Sequence, residues 1–249
     1  RLVAREIKTD LRPDLFAATP PLESLRTIIS ICASNQHAQS PSERHVIMSN
    51  DIQRAYFYAP AVRPVYVAIP DEDWCPGDEV KVACLNLSLY GTRDAAQNWS
   101  NTYSEHLQSI GFSRGKVAPC NFWHESRGIA LTVHGDDYTS TGTAYDLRWL
   151  DGQLKSKFEV KTKVLGPESG QVRELRVLNR VLAWTDLGVS YGANQRHSEL
   201  FVQELGLATA KPVTTPGSRE DVEHQHKQND AEDKLLEPKD ATLYRALTA

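Results

Sequence analysis

The chain has 249 residues, of which 40% are hydrophobic and 24% are charged, as in typical globular proteins. This composition excludes a collagen-like chain, a coiled coil and a chain disordered throughout, and no apolar run is long enough for a transmembrane helix. The net charge of −4 does not favour nucleic-acid binding, but the excess of acids is local, because residues 218–240 carry eight acidic and four basic residues.

The N-terminal half alternates predicted strands with one helix. Residues 2–7 are predicted to form a short strand, and apolar residues at helical spacing predict a helix over 22–32. Runs of β-branched and aromatic residues bounded by turn formers predict strands over 45–52, 65–69 and 80–84.

The second half contains further helices and a hairpin. The helical period ends at Gly111 in the first of these helices, as expected of a C-terminal glycine. The predicted order favours an α+β fold with helices on one face of an antiparallel sheet. The predicted elements are a helix over 94–110, a hairpin over 121–124 and 128–134, a turn over 135–137, a helix over 145–158, an extended segment over 172–184 and a helix over 194–205.

The cysteines do not predict a metal or disulfide site. They are widely spaced, and no two of them form a CxxC pair, which argues against a zinc ribbon and against a disulfide framework. Buried free thiols are the simpler interpretation. The four residues are Cys32, Cys75, Cys84 and Cys120.

Three aspartates form a candidate catalytic group. Asp51 ends a predicted strand, and Asp136 and Asp137 lie in the turn after another strand. Carboxylates in such positions could bind hard divalent cations, and a pair of bound metals can clamp both oxygens of a phosphoryl transfer. The alternative is ordinary turn chemistry, in which Gly-Asp-Asp is a solvated turn.

Several collinear segments carry a family resemblance. The chain resembles the reverse transcriptase domain of copia-type retrotransposon Pol polyproteins over residues 1–216, and the resemblance implies that it is an excerpt of such a polyprotein. The segments, in the family's order, are Arg1-Leu2-Val3-Ala4-Arg5, Asp51-Ile52-Gln53-Arg54-Ala55-Tyr56-Phe57, Val65-Tyr66-Val67, Ser88-Leu89-Tyr90-Gly91 through Trp99, and Val133-His134-Gly135-Asp136-Asp137. The chain departs from the family at His134-Gly135, where the family has Tyr-Val, and at Asp94, where it has Gln.

The resemblance implies the domain plan of reverse transcriptases. The family's α+β fold has fingers, a palm with a ferredoxin-like core, and a thumb, of which this chain would contain a part. On that basis the fingers lie mainly in 1–44 and 60–90, and the palm lies around 45–59 and 91–165. Residues 217–249 would form an acidic linker and the start of the next block.

The resemblance also implies an activity, RNA-directed DNA polymerisation. Asp51, Asp136 and Asp137 would bind two Mg²⁺ ions, or Mn²⁺, with help from the carbonyl of Ile52. The partners would be an RNA template, a DNA or tRNA primer and dNTPs, with integrase and ribonuclease H as polyprotein neighbours. The expected location is a cytoplasmic virus-like particle or the nucleus, without a membrane.

Further side chains have two interpretations each. Arg1 and Arg5 would grip the incoming triphosphate or lie on a solvated strand face. Tyr56 would be a steric gate under the deoxyribose or a core residue. If the segment is extended, Tyr56 shares a face with Tyr58 and Phe57 points away, so that loss of the Phe57 side chain would chiefly lower stability. Either Lys161 or Lys163 would act as general acid toward pyrophosphate, or both would belong to a surface charge run.

Other functions remain open from the sequence. A decayed or recruited retroelement remnant would bind nucleic acid without catalysis. A metal-dependent nuclease would use the same acids to cleave a single strand without dNTPs. An interaction module would bind nucleic acid independently of Mg²⁺ and of the aspartates.

Overall fold

The computed structural model describes residues 3–7, 11–12, 15–78, 80–211 and 237–248. Arg1 and most of the acidic segment 218–240 therefore lie outside the described residues. Among the helices that the structure describes, none has the length and apolarity needed to cross a membrane. The described α-helices are α1 Leu22–Asn35, α2 Ala95–Ser109, α3 Ala144–Lys155, α4 Gln195–Glu204 and α5 Pro238–Thr248.

The described strands form three sheets. The larger sheet has six strands, and the others have three and two. The strands are β1 His45–Ile52, β2 Tyr66–Ala68, β3 Val82–Cys84, β4 Ser113–Arg114, β5 Asn121–His124, β6 Ile129–His134, β7 Asp137–Thr143, β8 Val160–Leu165, β9 Glu174–Val177, β10 Arg180–Thr185 and β11 Gly188–Ala193.

The chain divides into two compact units, Arg1–Gly192 and Ala193–Ala249. The second unit contains α4 and α5. The N-terminus of α4 is capped by Asn194, whose side chain accepts a hydrogen bond from the backbone N–H of Arg196.

The six-stranded sheet has a ferredoxin-like centre. Its strand order is β4-β5-β6-β7-β1-β8, and the neighbouring strands β6, β7, β1 and β8 pair antiparallel. With α2 between β1 and β6 and α3 between β7 and β8, the chain follows the order β-α-β-β-α-β of that fold. The predicted α+β class is therefore confirmed, and β1 is an interior strand of the sheet, between β7 and the end strand β8.

Helices pack on both faces of this sheet, so the predicted single helical face is wrong for α1. Strand β1 contributes buried apolar side chains to both faces, Val46, Met48 and Ile52 on one and Ile47 on the other, and each face belongs to a separate core. One core joins α2 and α3 to the sheet through Trp99, Tyr103, Leu107, Leu147, Leu150, Leu154, Val46, Met48 and Ile52. The other joins α1 and the three-stranded sheet through Leu25, Ile29, Cys32, Ile47, Leu165, Leu175, Val177 and Leu182.

Glycine at position 91 allows a close approach of two backbone segments. Residues 3–7 form no strand, contrary to the prediction, but the N–H of Ala4 donates to the carbonyl of Tyr90 at 2.7 Å. Gly91 has φ +92°, and a Cβ added there would lie 1.7 Å from the carbonyl oxygen of Ala4. Any side chain at position 91 would therefore overlap the N-terminal segment in this position.

We expect Gly91→Ala to displace residues 3–7 and to lower the free energy of unfolding by about 2–4 kcal/mol, from backbone strain and overlap together. Urea unfolding and limited proteolysis of the N-terminus measure the two effects. The matched control is Gly77→Ala, because Gly77 has φ +93° but has no atom within 4 Å of its added Cβ. Equal losses in both variants would contradict a role for the Ala4 contact.

Candidate active site

The strand register places Asp51 directly opposite Asp137. The two residues are Cα partners in the β1–β7 pair, and the N–H of Ile52 donates to the carbonyl of Asp136 at 3.0 Å. That bond joins the residues flanking the pair, so Asp51 and Asp137 form a non-hydrogen-bonded pair, the kind in which facing side chains are closest. Two of the three predicted aspartates are therefore neighbours on one face.

Asp136 is the second residue of the two-residue turn between β6 and β7. Gly135 precedes it with φ +65°, and glycine at the first central position is favoured in tight hairpin turns. The buried indole of Trp99 donates to the carbonyl of Gly135 at 2.8 Å. Helix α2 thus holds the turn. Gly135, which stands where the family has valine, suits the positive φ of this position.

The three carboxylates repel one another. The pKa of Asp137 is raised by burial first, then by the charges of Asp136 and Asp51, and His134 partly offsets this rise. A bound cation would relieve such repulsion, because an opposite charge favours the ionised carboxylate. The donor chemistry fits Mg²⁺, which takes hard oxygen ligands.

In the described residues, the side chains of the three aspartates do not converge as metal ligands. Among the residues that the structure describes, no three His, Cys, Asp or Glu side chains form a group that could hold a metal ion. One oxygen of Asp51 instead accepts a hydrogen bond from Gln53 Nε2 at 2.7 Å. The backbone therefore brings the three residues together, and their role as metal ligands stays a prediction.

A row of polar residues extends across the sheet from these aspartates. His134 is the Cα partner of Asp137, and Lys161 is the Cα partner of Asp51. Lys163 is the Cα partner of Ser49, two residues further along β8 on the same face. Both lysines are exposed. Lys161 therefore lies closer to the aspartates along the sheet than Lys163 does.

Tyr56 lies beside this row in a 3-10 turn, Ala55–Tyr58, so the extended geometry predicted for this segment is wrong. Its ring stacks on that of Tyr90, with centroids 4.5 Å apart. Burial first, and then the charges of Asp136 and Tyr90, raise the pKa of Tyr56.

The neighbouring aromatic residues exchange their predicted roles. Phe57 is 39% exposed, whereas Tyr58 packs edge-on against Phe158 of the core at 5.1 Å. The hydroxyl of Tyr58 also accepts a hydrogen bond from the N–H of Glu159. A 3-10 turn advances each side chain by about a third of a turn, so the residue that reaches the core is Tyr58.

The N-terminal segment lies against the same aromatic pair through Tyr90. Arg5 is exposed on this segment. Glu6 accepts two hydrogen bonds from Arg63, at 2.6 and 2.8 Å, and Arg63 also donates to the buried Asp94 at 3.1 Å. Asp94 stands where the family has glutamine. Its buried charge is paired with that of Arg63, and this pairing offsets the cost of burying a charge.

Two contacts at this site were not predicted from the sequence. Gln53 belongs to the first aspartate motif, but the motif does not indicate that its amide binds Asp51. Trp99 is buried, and its hydrogen bond to Gly135 joins residues distant in sequence. A buried Trp normally needs a partner for its N–H, and this was the one available signal.

Comparisons with known proteins agree on one family. A family model described as "Reverse transcriptase (RNA-dependent DNA polymerase)" matches residues 8–172. The chain is 25% identical over 207 residues to the retrovirus-related Pol polyprotein from transposon TNT 1-94 of Nicotiana tabacum, covering 82% of this chain but 14% of that protein.

Two solved telomerase structures are also similar to part of the chain. One is apo telomerase from Candida tropicalis truncated from its C-terminal domain, with TM-score 0.41 and 11% identity over 70% of this chain and 40% of that chain. The other is telomerase from Candida albicans in complex with a TWJ fragment of telomeric RNA, with TM-score 0.39 and 10% identity over 72% of this chain and 35% of that chain.

Proposed function

Because the chain belongs to the reverse transcriptase family of RNA-dependent DNA polymerases, we propose that it extends a primer 3′-hydroxyl on an RNA template. The nucleotides would be dNTPs, and the primer a DNA or a tRNA. The protein would act as the polymerase part of a copia-type Pol polyprotein, with integrase and ribonuclease H as neighbours in that polyprotein.

The observation that carries this proposal is the pairing of Asp51 with Asp137 beside the Asp136 turn. A strand that is paired on both sides and a tight hairpin are rigid supports, so the three carboxylates have fixed backbone positions. Phosphoryl transfer depends mainly on such positioning and on charge stabilisation. A cation bound by these carboxylates would offset the burial and the charges of Asp136 and Asp51 that raise the pKa of Asp137.

Asp51, Asp136 and Asp137 are the residues that would hold the metal, with the carbonyl of Ile52. When bound, two Mg²⁺ ions, or Mn²⁺, would activate the primer 3′-hydroxyl and stabilise the leaving pyrophosphate. The chain itself contributes the geometry: Trp99 holds the turn through Gly135.

Further residues would contact the nucleotide. Tyr56, next to the aspartates, would lie under the deoxyribose, and Arg5, carried by the segment bound to Tyr90, would contact the triphosphate. Lys161, the partner of Asp51 on β8, is the better candidate for a general acid toward pyrophosphate, and Lys163 is the alternative.

We propose that the predicted domain plan applies to this fold. The fingers would lie mainly in 1–44 and 60–90, which includes the separate β2–β3 sheet. The palm would lie around 45–59 and 91–165, and the thumb would begin before residue 216. Helix α1 packs against the palm sheet, on the face opposite α2 and α3.

The test is primer extension on an RNA template with the purified chain. The proposal expects products that lengthen only with dNTPs and a divalent metal. Cleavage of a single strand without dNTPs would instead support the nuclease. Template binding that neither needs Mg²⁺ nor leads to extension would support the remnant or the interaction module, and would overturn the proposal.

We expect template binding to be sensitive to salt and synthesis to be distributive. The chain carries a net charge of −4, so its affinity depends on a few local cations such as Lys161 and Lys163, and phosphate contacts are screened by salt. Binding should weaken by about 10-fold or more between 50 and 200 mM salt, as measured by fluorescence anisotropy. Long products from one binding event, made in the presence of a trap template, would contradict this expectation.

A further inference from the structure

A hydrogen-bonded cluster lies directly behind the aspartates, on the opposite face of the sheet. Asn50 precedes Asp51 on β1, and Thr162 follows Lys161 on β8; Asn50 and Thr162 are Cα partners. Since successive side chains of a strand point to opposite faces, both project toward α2 and α3. Asn50 is 0% exposed, which is unusual for an amide side chain.

One carboxylate of α3 binds both strands. Asn50 Nδ2 donates to Asp151 Oδ1 at 3.3 Å and to Thr162 Oγ1 at 3.0 Å. The hydroxyl of Thr162 donates to the same Oδ1 of Asp151. The second oxygen of Asp151 accepts from Lys155 at 2.7 Å. Both oxygens of Asp151 therefore have partners, and this one carboxylate joins α3 to both β1 and β8 by hydrogen bonds.

The register explains why this point is well placed. The N–H of Gln53 donates to the carbonyl of Glu159, directly opposite it on the other strand, at 2.9 Å. Hydrogen-bonded and non-hydrogen-bonded pairs alternate along an antiparallel ladder, so Asn50 and Thr162, three positions away, form a non-hydrogen-bonded pair, in which the side chains are closer. The adjacent pair on the other face is Asp51 with Lys161. The cluster thus lies one residue from Asp51 on β1.

We propose that Asp151 is a positioning residue for the metal-binding aspartates. By holding Asn50 and Thr162, it fixes the backbone of β1 and β8 at the row that carries Asp51. Residues behind a metal site commonly determine how well its ligands are oriented. This inference rests on the proposed function, because it assumes that Asp51, Asp136 and Asp137 bind a metal.

The experiment measures Mn²⁺ affinity directly, by electron paramagnetic resonance of free Mn²⁺, on the folded full chain. We expect Asp151→Ala to weaken Mn²⁺ binding by about 10-fold, at the low end of the effects seen for residues outside the ligand set. Asp151→Asn keeps the shape of the side chain and should weaken binding by a smaller factor, so the test survives if the alanine variant does not fold. The Mg²⁺ concentration that gives half-maximal primer extension should rise in parallel.

The control is Asp146→Ala on the same helix. Asp146 has a side-chain exposure of 18%, against 20% for Asp151, and each forms one salt bridge. Its partners, Arg127 in the β5–β6 connection and Thr143 at the N-cap of α3, contact it near the N-terminal end of the helix. Asp146→Ala should lower stability but change Mn²⁺ affinity by less than about 2-fold, since it is outside the cluster.

The outcomes separate the two claims. Unchanged Mn²⁺ affinity in Asp151→Ala and Asp151→Asn, or equal losses in Asp146→Ala, would overturn the positioning role and leave the metal site intact. If Asp136→Asn binds Mn²⁺ as tightly as the parent, or the parent binds none, the proposed metal site fails and the positioning role fails with it.

Discussion

Asp136→Asn should reduce primer extension by about three orders of magnitude, because a metal-binding carboxylate contributes several kcal/mol to the transition state. Asp136 is exposed at the tip of the β6–β7 turn, so the amide should leave the fold and primer–template binding nearly unchanged. The single-turnover rate of nucleotide addition, measured beside a thermal unfolding curve, separates loss of catalysis from loss of folding.

The control for this variant is Glu125→Gln. Glu125 is an exposed acid in the connection between β5 and β6, in a position comparable to Asp136 but outside the aspartate group. It should extend primers at the parent's rate. An Asp136→Asn protein that extends primers nearly as fast as the parent would remove Asp136 from the proposed site.

Tyr56→Ala should lower the discrimination against ribonucleotides by about 10- to 100-fold, the range that steric exclusion of one small group provides. The ring of Tyr56 is held by stacking on Tyr90, and the pKa of its hydroxyl responds to Asp136. A rigid ring beside the metal-bound triphosphate would clash with a 2′-hydroxyl, so selection would come from exclusion. The ratio of kcat/KM for a dNTP and its rNTP measures the effect.

Two neighbouring substitutions give this prediction its controls. Tyr56→Phe keeps the ring and should keep the selectivity. Phe57→Ala, whose side chain is 39% exposed, should leave the ratio unchanged and, contrary to the expectation from sequence, should cost little stability. An unchanged ratio in a folded Tyr56→Ala protein would assign Tyr56 to packing alone.

The predicted elements with strong periodicity are confirmed. Strand β1 has the predicted bounds, and α1, α2, α3 and the β5–β6 hairpin lie within a few residues of the prediction. Their apolar residues repeat with the period of the element because one face packs against a core. The resemblance to copia-type reverse transcriptases is likewise confirmed by the family match and the Pol polyprotein relative.

Strand β7 was not predicted, although it is almost fully buried. Its many hydroxyl side chains are typical of a loop, but in the sheet two of them, on Ser140 and Thr141, donate to the backbone of β1. Thr141 Oγ1 donates to the carbonyl of Val46 at 3.0 Å, and Ser140 donates to that of Met48 at 3.5 Å. Such partners exist only after the strands pair, so the sequence pattern alone does not reveal them.

The candidate site was predictable only where short motifs carry it. Asp51, Asp136 and Asp137 were identified from their motifs, and the register then places them together. The supporting contacts of Trp99 with Gly135 and of Asp151 with Asn50 join residues far apart in the chain. Spacing along the sequence contains no information on such contacts, because tertiary packing creates them.

The most direct test of the central claim is a count of bound metal ions. Isothermal titration of Mn²⁺ into the chain, held with a dideoxy-terminated primer on an RNA template and the next dNTP, needs no chemical step. The account predicts about two ions per chain, with at least one lost in each of Asp51→Asn, Asp136→Asn and Asp137→Asn. Metal binding that all three substitutions leave unchanged, in a folded chain that holds primer and template, would contradict it.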